Sequence, residues 1–354
     1  MESPPKYGKI TKDFFDRVIY PHLGARRSNI IAGPSMGLDN CVINVGGGQV
    51  LVATTDPLTY IMDIGPEDSA WLSVNAIASD IATSGFRPQY AIFDLNLPSS
   101  LSSEEFEKYW IALSSECERI GIAIIGGHTG RFEGLDSTII GAGTMFSFGS
   151  SRSYLTTAGS SSGDNVILTK GVAIETTGVL ARVFPAKVQE KIGKNLYERS
   201  LGYFKKITTV DDALTAAKVG IKSGGVCAMH DATEGGVLSA LYELAMASSL
   251  GLRVKKENLF VSEETRMICS LFNIDPYITL SEGSLVLSCN PSKANDILTS
   301  LRLKGIEAAV VGELSKPEEG IMLVDESGSV SPIKYPVEDP YWKAFYAAKK
   351  SKWV

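Results

Sequence analysis

Cysteine is scarce in this sequence, and its spacing excludes several kinds of site. The five cysteines lie far apart and form no C-x-x-C pair: Cys41, Cys117, Cys227, Cys269 and Cys289. A disulfide framework and a cysteine-bound zinc ion are therefore disfavoured. We expect reduced, buried thiols.

Long apolar runs are also missing. No stretch approaches the ~18 apolar residues that a membrane helix needs. The first residues, Met1 to Lys6, contain no apolar core of a signal peptide. We therefore expect a cytoplasmic protein with no membrane partner.

Excess positive charge is absent, because the formal net charge is −6. This balance argues against a nucleic-acid partner. The sequence has no G-x-x-x-x-G-K-[ST] phosphate loop and no G-x-G-x-x-G that opens a helix. A G-x-S-x-G match at 33–37 is followed by a predicted strand at 41–45, which disfavours the strand–turn–helix elbow of a hydrolase.

The length and composition predict a folded chain of two domains. It has 354 residues, of which 44% are hydrophobic and 21% charged, and one ordinary core does not grow to that length. The segment 156–163, rich in Ser, Thr and Gly, is the linker candidate. We therefore predict domains at 1–155 and 156–335, followed by an aromatic helical tail at 336–354.

The pattern of the first half predicts an α+β layer with helices on one face of a sheet. The predicted strands are 50–55, 90–97, 122–125 and 138–148. Helices are predicted at 68–84 and from a capping box at Ser102 and Glu105 to Gly121. The second half mixes strands at 166–169, 283–288 and 308–311 with helices at 211–222, 236–248 and 293–303. Because the first sheet leaves one face bare, we expect a homodimer.

Three aspartates stand out at element ends or on an apolar helix: Asp39, Asp56 and Asp80. Asp39 and Asp56 alone are typical of turns and helix caps. Asp80 lies inside a predicted helix beside a buried position, where a carboxylate needs a partner such as a metal ion. Mg²⁺ bound between carboxylates and phosphate oxygens would use such residues.

Two glycine segments contain two of the three histidines. Gly126, Gly127, His128 and Thr129 follow a predicted strand, so their amides could bind phosphate; a tight turn with a structural histidine is the alternative. His230 and Asp231 precede Gly235, Gly236 and a predicted helix. That helix start could bind an anion, or it could be a plain N-cap at Thr233.

Taken in order, these motifs resemble the aminoimidazole-ribotide-synthetase-like (PurM-like) superfamily, which includes HypE, thiamine-monophosphate kinase and selenophosphate synthetase. The matching segments are short and span roughly residues 8–336: the motifs at Asp39 and Asp56, 79–88, 126–129, 163–164, 230–236 and 282–283. The last two look most like HypE, the hydrogenase maturation factor.

The resemblance implies a ferredoxin-like N-terminal domain that dimerises into a closed β-barrel, with a C-terminal α/β domain. It implies ATP and Mg²⁺ as cofactors and a phosphorylated substrate oxygen, which in PurM and HypE is amide-like and becomes a leaving group. By residue, it implies metal ligands at Asp39, Asp56 and Asp80. It implies nucleotide contacts at Thr55, Asp56, Gly126, Gly127, Thr129, Gly235 and Gly236. It implies catalytic roles for His128, His230 and Asp231.

Two departures keep the function open. His128 stands where HypE has a metal-binding Asp, although selenophosphate synthetases also have His there. The last cysteine is Cys289, so the C-terminal cysteine on which HypE acts is not found. We therefore expect an ATP-dependent enzyme with a separate small-molecule or protein-borne substrate. The alternatives are a nucleotide-binding regulatory or assembly protein without turnover and a kinase like thiamine-monophosphate kinase.

Overall fold

The computed structural model describes residues 7–135, 138–336 and 338–353 and shows a two-domain α+β fold. The strands are β1 Ile30–Ala32, β2 Cys41–Gly46, β3 Gln49–Thr59, β4 Tyr90–Pro98, β5 Ala123–Phe132, β6 Ile139–Ser150, β7 Asn165–Thr169, β8 Val226–Ala232, β9 Gly251–Lys255, β10 Ser284–Cys289, β11 Ala308–Ser315, β12 Ile321–Val324 and β13 Val330–Pro332. The α-helices are α1 Lys12–Phe14, α2 Gly65–Thr83, α3 Ser103–Ile120, α4 Ile174–Val183, α5 Pro185–Ile192, α6 Lys194–Leu201, α7 Val210–Val219, α8 Gly236–Ala247, α9 Glu263–Phe272, α10 Ala294–Leu303 and α11 Pro340–Lys350. No helix among these residues is long and apolar enough to cross a membrane.

The first sheet has the order β1-β2-β3-β6-β4-β5, and its neighbouring strands are antiparallel except for the pair β4–β5. Helices α2 and α3 cover one face, where Val52, Ile77 and Leu113 join a single core. The predicted capping box at Ser102 and Glu105 is confirmed, and Gly121 ends α3 in the left-handed conformation.

The opposite face of this sheet is apolar and uncovered. Tyr90, Phe146 and Phe148 form an aromatic cluster on it, with ring centroids 5.5–6.3 Å apart. Ile92, two residues along β4 from Tyr90 and therefore on the same face, is also exposed. Alternation along each strand explains the arrangement, since neighbouring residues face opposite sides of the sheet.

Strand β5 is longer and more exposed than its sequence indicates. The strand predicted at 122–125 runs to Phe132, so residues 126–129 lie inside it rather than in a loop. Parallel pairing with β4 explains the extension, because Phe93, Asp94 and Leu95 lie opposite Gly127, His128 and Thr129. A Cβ on Gly127 would approach the Phe93 carbonyl oxygen to 2.1 Å, so this glycine allows the two strands to pair.

The second sheet has the order β13-β12-β9-β11-β7-β10-β8. Its last strand, β8, is buried throughout and contains His230 and Asp231, for which the sequence predicted no strand. The predicted tail helix is present as α11, where Tyr341 and Phe345 are buried. The domain limits at 155 and 335 stay predictions, although the first sheet ends at Ser150 and the second begins at Asn165.

Candidate functional site

The three predicted metal ligands line one cavity between the two sheets, which we call the aspartate cavity. Its volume is about 570 Å³, and Asp39, Asp56 and Asp80 share it with His230, Asp231 and Glu243. The first three come from the loop before β2, from β3 and from α2, and the others come from β8 and α8. The cavity is therefore assembled from both domains.

His230 holds the carboxylate of Asp39. Its Nδ1 lies 2.5 Å from Asp39 Oδ1, and its Nε2 lies 2.8 Å from Glu243 Oε2. Tyr335 donates its hydroxyl hydrogen to the other oxygen of Glu243 at 2.8 Å. Burial lowers the pKa of His230, but the charges and hydrogen bonds of Asp39 and Glu243 outweigh burial and hold this pKa well above its usual value. His230 is thus an imidazolium with both nitrogens engaged.

The remaining carboxylates lack enough positive charge around them. Burial, followed by repulsion from Asp231, Asp56 and Asp39, holds the pKa of Asp80 well above its ordinary value. Burial and repulsion from Asp39 also raise the pKa of Asp231 to about 7. The Oδ2 atom of Asp231 is buried and has no hydrogen-bond partner within the described part of the chain. Such a group needs a cation or a proton.

The donor set fits Mg²⁺. Among the described residues, one group of three brings its ligand atoms within 4.8 Å of one another, and it consists of Asp39, His230 and Asp231. Because both nitrogens of His230 are engaged, the carboxylate oxygens of Asp39 and Asp231 are the atoms left for a metal. Asp56 and Asp80 line the same cavity outside this group. Hard oxygen donors of this kind suit Mg²⁺.

Lys9 is a cavity residue that sequence reasoning missed. Its Nζ donates to Thr233 Oγ1 at 2.8 Å, and its backbone amide donates to Glu234 Oε2 at 2.6 Å. The Trp342 indole N–H donates to the other oxygen of Glu234 at 3.0 Å. Burial lowers the pKa of Lys9, but the charges of Asp56 and neighbouring glutamates outweigh burial and raise this pKa above its usual value. The ammonium group therefore stays charged. The N-terminal segment gave no periodic signal that could have identified it.

Lys9 also links the aspartate cavity to a second one, which we call the glutamate cavity. Its volume is about 440 Å³, and both cavities are lined by Lys9, Asp56 and Thr233. Glu175 and Glu282 lie in the glutamate cavity and were not among the predicted site residues. Glu282 had a sequence signal in its Glu-Gly pair, whereas Glu175 begins an ordinary amphipathic helix.

The predicted phosphate-binding amides lie elsewhere or already have partners. Gly235 N–H donates to Asp339 Oδ2 at 2.8 Å, and Gly236 N–H donates to the Thr233 carbonyl oxygen at 3.1 Å. Thr55 lines the aspartate cavity, but its hydroxyl donates to the Gly143 carbonyl oxygen at 3.0 Å. Asp339 of the tail and Thr233 of the turn before α8 therefore accept hydrogen bonds from the two amides that the sequence predicted to bind phosphate.

The second glycine segment lies away from both cavities. Gly126, Gly127, His128 and Thr129 are exposed on β5 at the edge of the first sheet. None of the four lines the aspartate cavity or the glutamate cavity. The structure of one protomer thus brings together Asp39, Asp56, Asp80, His230 and Asp231 and leaves this segment outside.

Two family models match the chain in sequence order. The model of the AIR synthase related protein N-terminal domain matches residues 37–147, and that of the C-terminal domain matches residues 161–325. The two matches contain both halves of the aspartate cavity.

Individual relatives agree with these matches. The chain is 25% identical to carbamoyl dehydratase HypE of Escherichia coli (strain K12) over 311 residues, which cover 84% of this chain and 85% of the relative. A solved structure of HypE in complex with ATP superposes with a TM-score of 0.66 at 20% identity and covers 93% of each chain. The structure of AaThiL complexed with AMPPCP and TMP gives a TM-score of 0.65 at 19% identity, covering 86% of this chain and 92% of AaThiL. The fold is PurM-like.

Proposed function

The chain belongs to the AIR synthase related protein family, and we propose that it is an Mg²⁺- and ATP-dependent enzyme that phosphorylates an oxygen of a small molecule or of a protein-borne group. The observation that carries this proposal is the set of buried carboxylates in the aspartate cavity, which shares Lys9, Asp56 and Thr233 with a second cavity. Phosphoryl transfer depends chiefly on positioning and charge neutralisation. The residues shared by the two cavities, Lys9 and Asp56 among them, could position a substrate and neutralise its charge.

We assign the metal to carboxylates from the two domains. Asp39, Asp56 and Asp80 would hold Mg²⁺ together with Asp231, whose Oδ2 has no other partner among the described residues. Bound there, the ion would neutralise phosphate charge. His230 acts as a positioning residue because its two hydrogen bonds fix the orientation of Asp39.

Asp56 and Lys9 lie where the two cavities meet. In the proposed reaction the acceptor oxygen forms a bond to the γ-phosphorus of ATP. The bond from that phosphorus to the β–γ bridging oxygen breaks, and ADP leaves with the electron pair. The acceptor's proton passes to solvent water, because Asp56 is assigned to the metal. The Lys9 ammonium offsets negative charge on the transferred group.

An amide acceptor would permit a second step. Its phosphorylated oxygen would leave as phosphate while the nitrogen loses its remaining proton and a C≡N bond forms. This dehydration is the finer activity that the resemblance to HypE implies. A stable phosphate ester would instead be the product of a small-molecule kinase. The two outcomes differ in whether phosphate is released, which a phosphate assay measures directly.

We also propose a homodimer through the uncovered face of the first sheet. The aromatic cluster of Tyr90, Phe146 and Phe148 and the exposed Ile92 would be buried there. The exposed β5 segment, with His128, lies at the edge of the same sheet. Light scattering tests the proposed dimer: a monomeric mass for the wild type, or an unchanged mass for Ile92→Glu, would contradict it.

The main test is ADP release by the purified protein with ATP and Mg²⁺. We expect slow turnover and nucleotide-dependent stabilisation in the wild type, and the loss of turnover in Asp56→Asn with folding retained. Asp296→Asn is the matched control, because Asp296 pairs with Lys293 on the exposed side of α10. Unchanged turnover in Asp56→Asn would contradict the assignment of Asp56.

A nucleotide-binding protein without turnover is the second candidate, and the position of His128, a predicted catalytic residue, outside both cavities of one protomer favours it. Such a protein would gain about 2.7 kcal/mol of stability at a hundredfold excess of nucleotide over its dissociation constant. It would release no ADP with any acceptor. Turnover that appears on adding a metabolite would exclude this candidate.

A further inference from the structure

The glutamate cavity has the size of a small-molecule site and an excess of acidic side chains. Its volume of about 440 Å³ is sufficient for a small metabolite. It is lined by one lysine, Lys9, and by four carboxylates: Asp56, Glu175, Glu234 and Glu282. Lys9 is already hydrogen-bonded to Thr233 at the far edge. Glu175 and Glu282 therefore have no cationic partner among the lining residues.

Glu282 lines this cavity, and its carboxyl group has an unsatisfied atom. Its residue is 5% exposed, and its Oε1 has no hydrogen-bond partner within the described residues. The turn that carries it is fixed, because Gly283 has φ +99° and a Cβ there would approach the Lys206 carbonyl oxygen to 2.3 Å. A buried oxygen held in this way costs stability unless a ligand or another donor reaches it.

Glu175 lies beside Glu282. It stands in the first turn of α4, and the backbone amide of Glu282 donates to its carboxylate. Glu282 in turn lies beside Asp231, at the back of the aspartate cavity. The two glutamates thus form a rigid pair that reaches toward the proposed metal site. A planar group with several N–H donors matches two adjacent carboxylates.

Aromatic rings form another wall of the glutamate cavity. Trp342 and Tyr346 of α11 line it with ring centroids 6.3 Å apart and an angle of 24° between their planes. The ring of Tyr7 contacts that of Tyr346, with the centroids 4.9 Å apart and the planes tilted by 32°. Aromatic faces attract cations and accept flat groups. The wall and the glutamate pair therefore favour the same chemical class.

From these observations we propose that the glutamate cavity binds the phosphoryl acceptor through a positively charged, N–H-rich nitrogen group, such as an amidinium, a guanidinium or a protonated amine. The role of this ligand as the phosphoryl acceptor rests on the proposed function. The binding itself depends on Glu175, Glu282 and the aromatic wall. The cationic end lies against the glutamates and leaves the rest of the molecule free to reach Asp56.

The test compares two probes of the same shape and different charge. Benzamidine is a planar cation and benzamide is its neutral counterpart, and calorimetry in EDTA measures both without metal competition. We expect benzamidine to bind at least about tenfold more tightly than benzamide. Equal affinities for the wild type, or the absence of benzamidine binding, would overturn the proposal.

Two kinds of variant locate the binding. The double variant Glu175→Gln, Glu282→Gln keeps the shape and removes the charge, so it should lose the preference for benzamidine. Ala76→Leu fills part of the cavity from α2 and should weaken the binding of both probes. Glu104→Gln, at an exposed position of α3, is the control and should change the binding of neither probe. Benzamidine affinity that both cavity variants retain, with folding verified by circular dichroism, would overturn the assignment.

This experiment separates the inference from the proposed function. Preferential benzamidine binding without ADP release under any condition would refute the enzyme and preserve the cation site. ADP release that requires Asp56, together with equal binding of the two probes, would preserve the enzyme and refute the cation site.

Discussion

Replacing Asp231 by Asn should stabilise the metal-free protein while removing its response to Mg²⁺. Asp231 is 1% exposed in β8, and its Oδ2 lacks a partner among the described residues. Its ligand atom lies within 4.8 Å of that of Asp39. Asparagine has nearly the same shape and no charge. The substitution therefore removes repulsion without opening a cavity.

The sign and size of the stability change in Asp231→Asn follow from the pKa of Asp231. Burial and the charge of Asp39 raise it from the ordinary 3.8 to about 7. Because the folded-state pKa is raised, this group's contribution to stability is fully present below pH 3.8 and is lost as the pH rises through 7. A difference of about three pKa units corresponds to an upper bound of about 4 kcal/mol. We expect about half of this, because polar groups of the open cavity relax around the charge.

The assay is thermal unfolding in EDTA from pH 4 to pH 8. At pH 8 the Asn variant should melt about 2–5 °C above the wild type, and the difference should vanish near pH 4. Adding Mg²⁺ at pH 8 should raise the Tm of the wild type and leave that of the variant nearly unchanged. A variant less stable than the wild type at pH 8 without metal, or equally responsive to Mg²⁺, would refute this reasoning. Asp296→Asn, on exposed α10, should behave as the wild type.

Three further substitutions test other parts of the site. His230→Gln should weaken Mg²⁺ binding by about 10–100-fold in a metal titration, because Asp39 loses its orienting partner; unchanged affinity would contradict the positioning role. Burial and repulsion raise the pKa of Glu175 to about 8, so the wild type should lose stability relative to Glu175→Gln as the pH rises from 4.5 through 8, and parallel Tm–pH curves would contradict this. Gly236→Ala should cost at least about 1–3 kcal/mol in urea unfolding, since φ is +67° and the new Cβ would lie 2.7 Å from the Thr279 backbone.

Sequence periodicity predicted the helices that cover the first sheet because their apolar spacing is local. The helix predicted at 68–84 is α2 at Gly65–Thr83, and α3 ends at Gly121 as expected. The aspartates were also identified because a carboxylate inside an apolar helix, as at Asp80, conflicts with local preference. Patterns within about twenty residues therefore located these parts of the fold and of the site.

Pairing between distant strands decided the parts that the sequence did not reveal. The strand predicted at 122–125 stops before two glycines that weaken strand propensity, yet nine residues of β4 pair with β5 as far as Phe132. His230 and Asp231 resemble loop residues because charge is rare in a buried strand. Their neighbours across the sheet, Val286 and Leu285 on β10, hold them in β8. No local signal records such partners.

The division of the aspartate cavity between the two domains makes metal binding and domain packing interdependent. Asp39 comes from the first domain and His230 and Asp231 from the second, and the bond between Asp39 and His230 crosses the junction. Without a cation, burial and then repulsion across that junction raise the pKa values of Asp80 and Asp231. Binding Mg²⁺ would convert the repulsion into shared ligation and so stabilise the packing of the two domains. The carboxylates that make the metal-free protein less stable are therefore the ones that would bind the proposed metal.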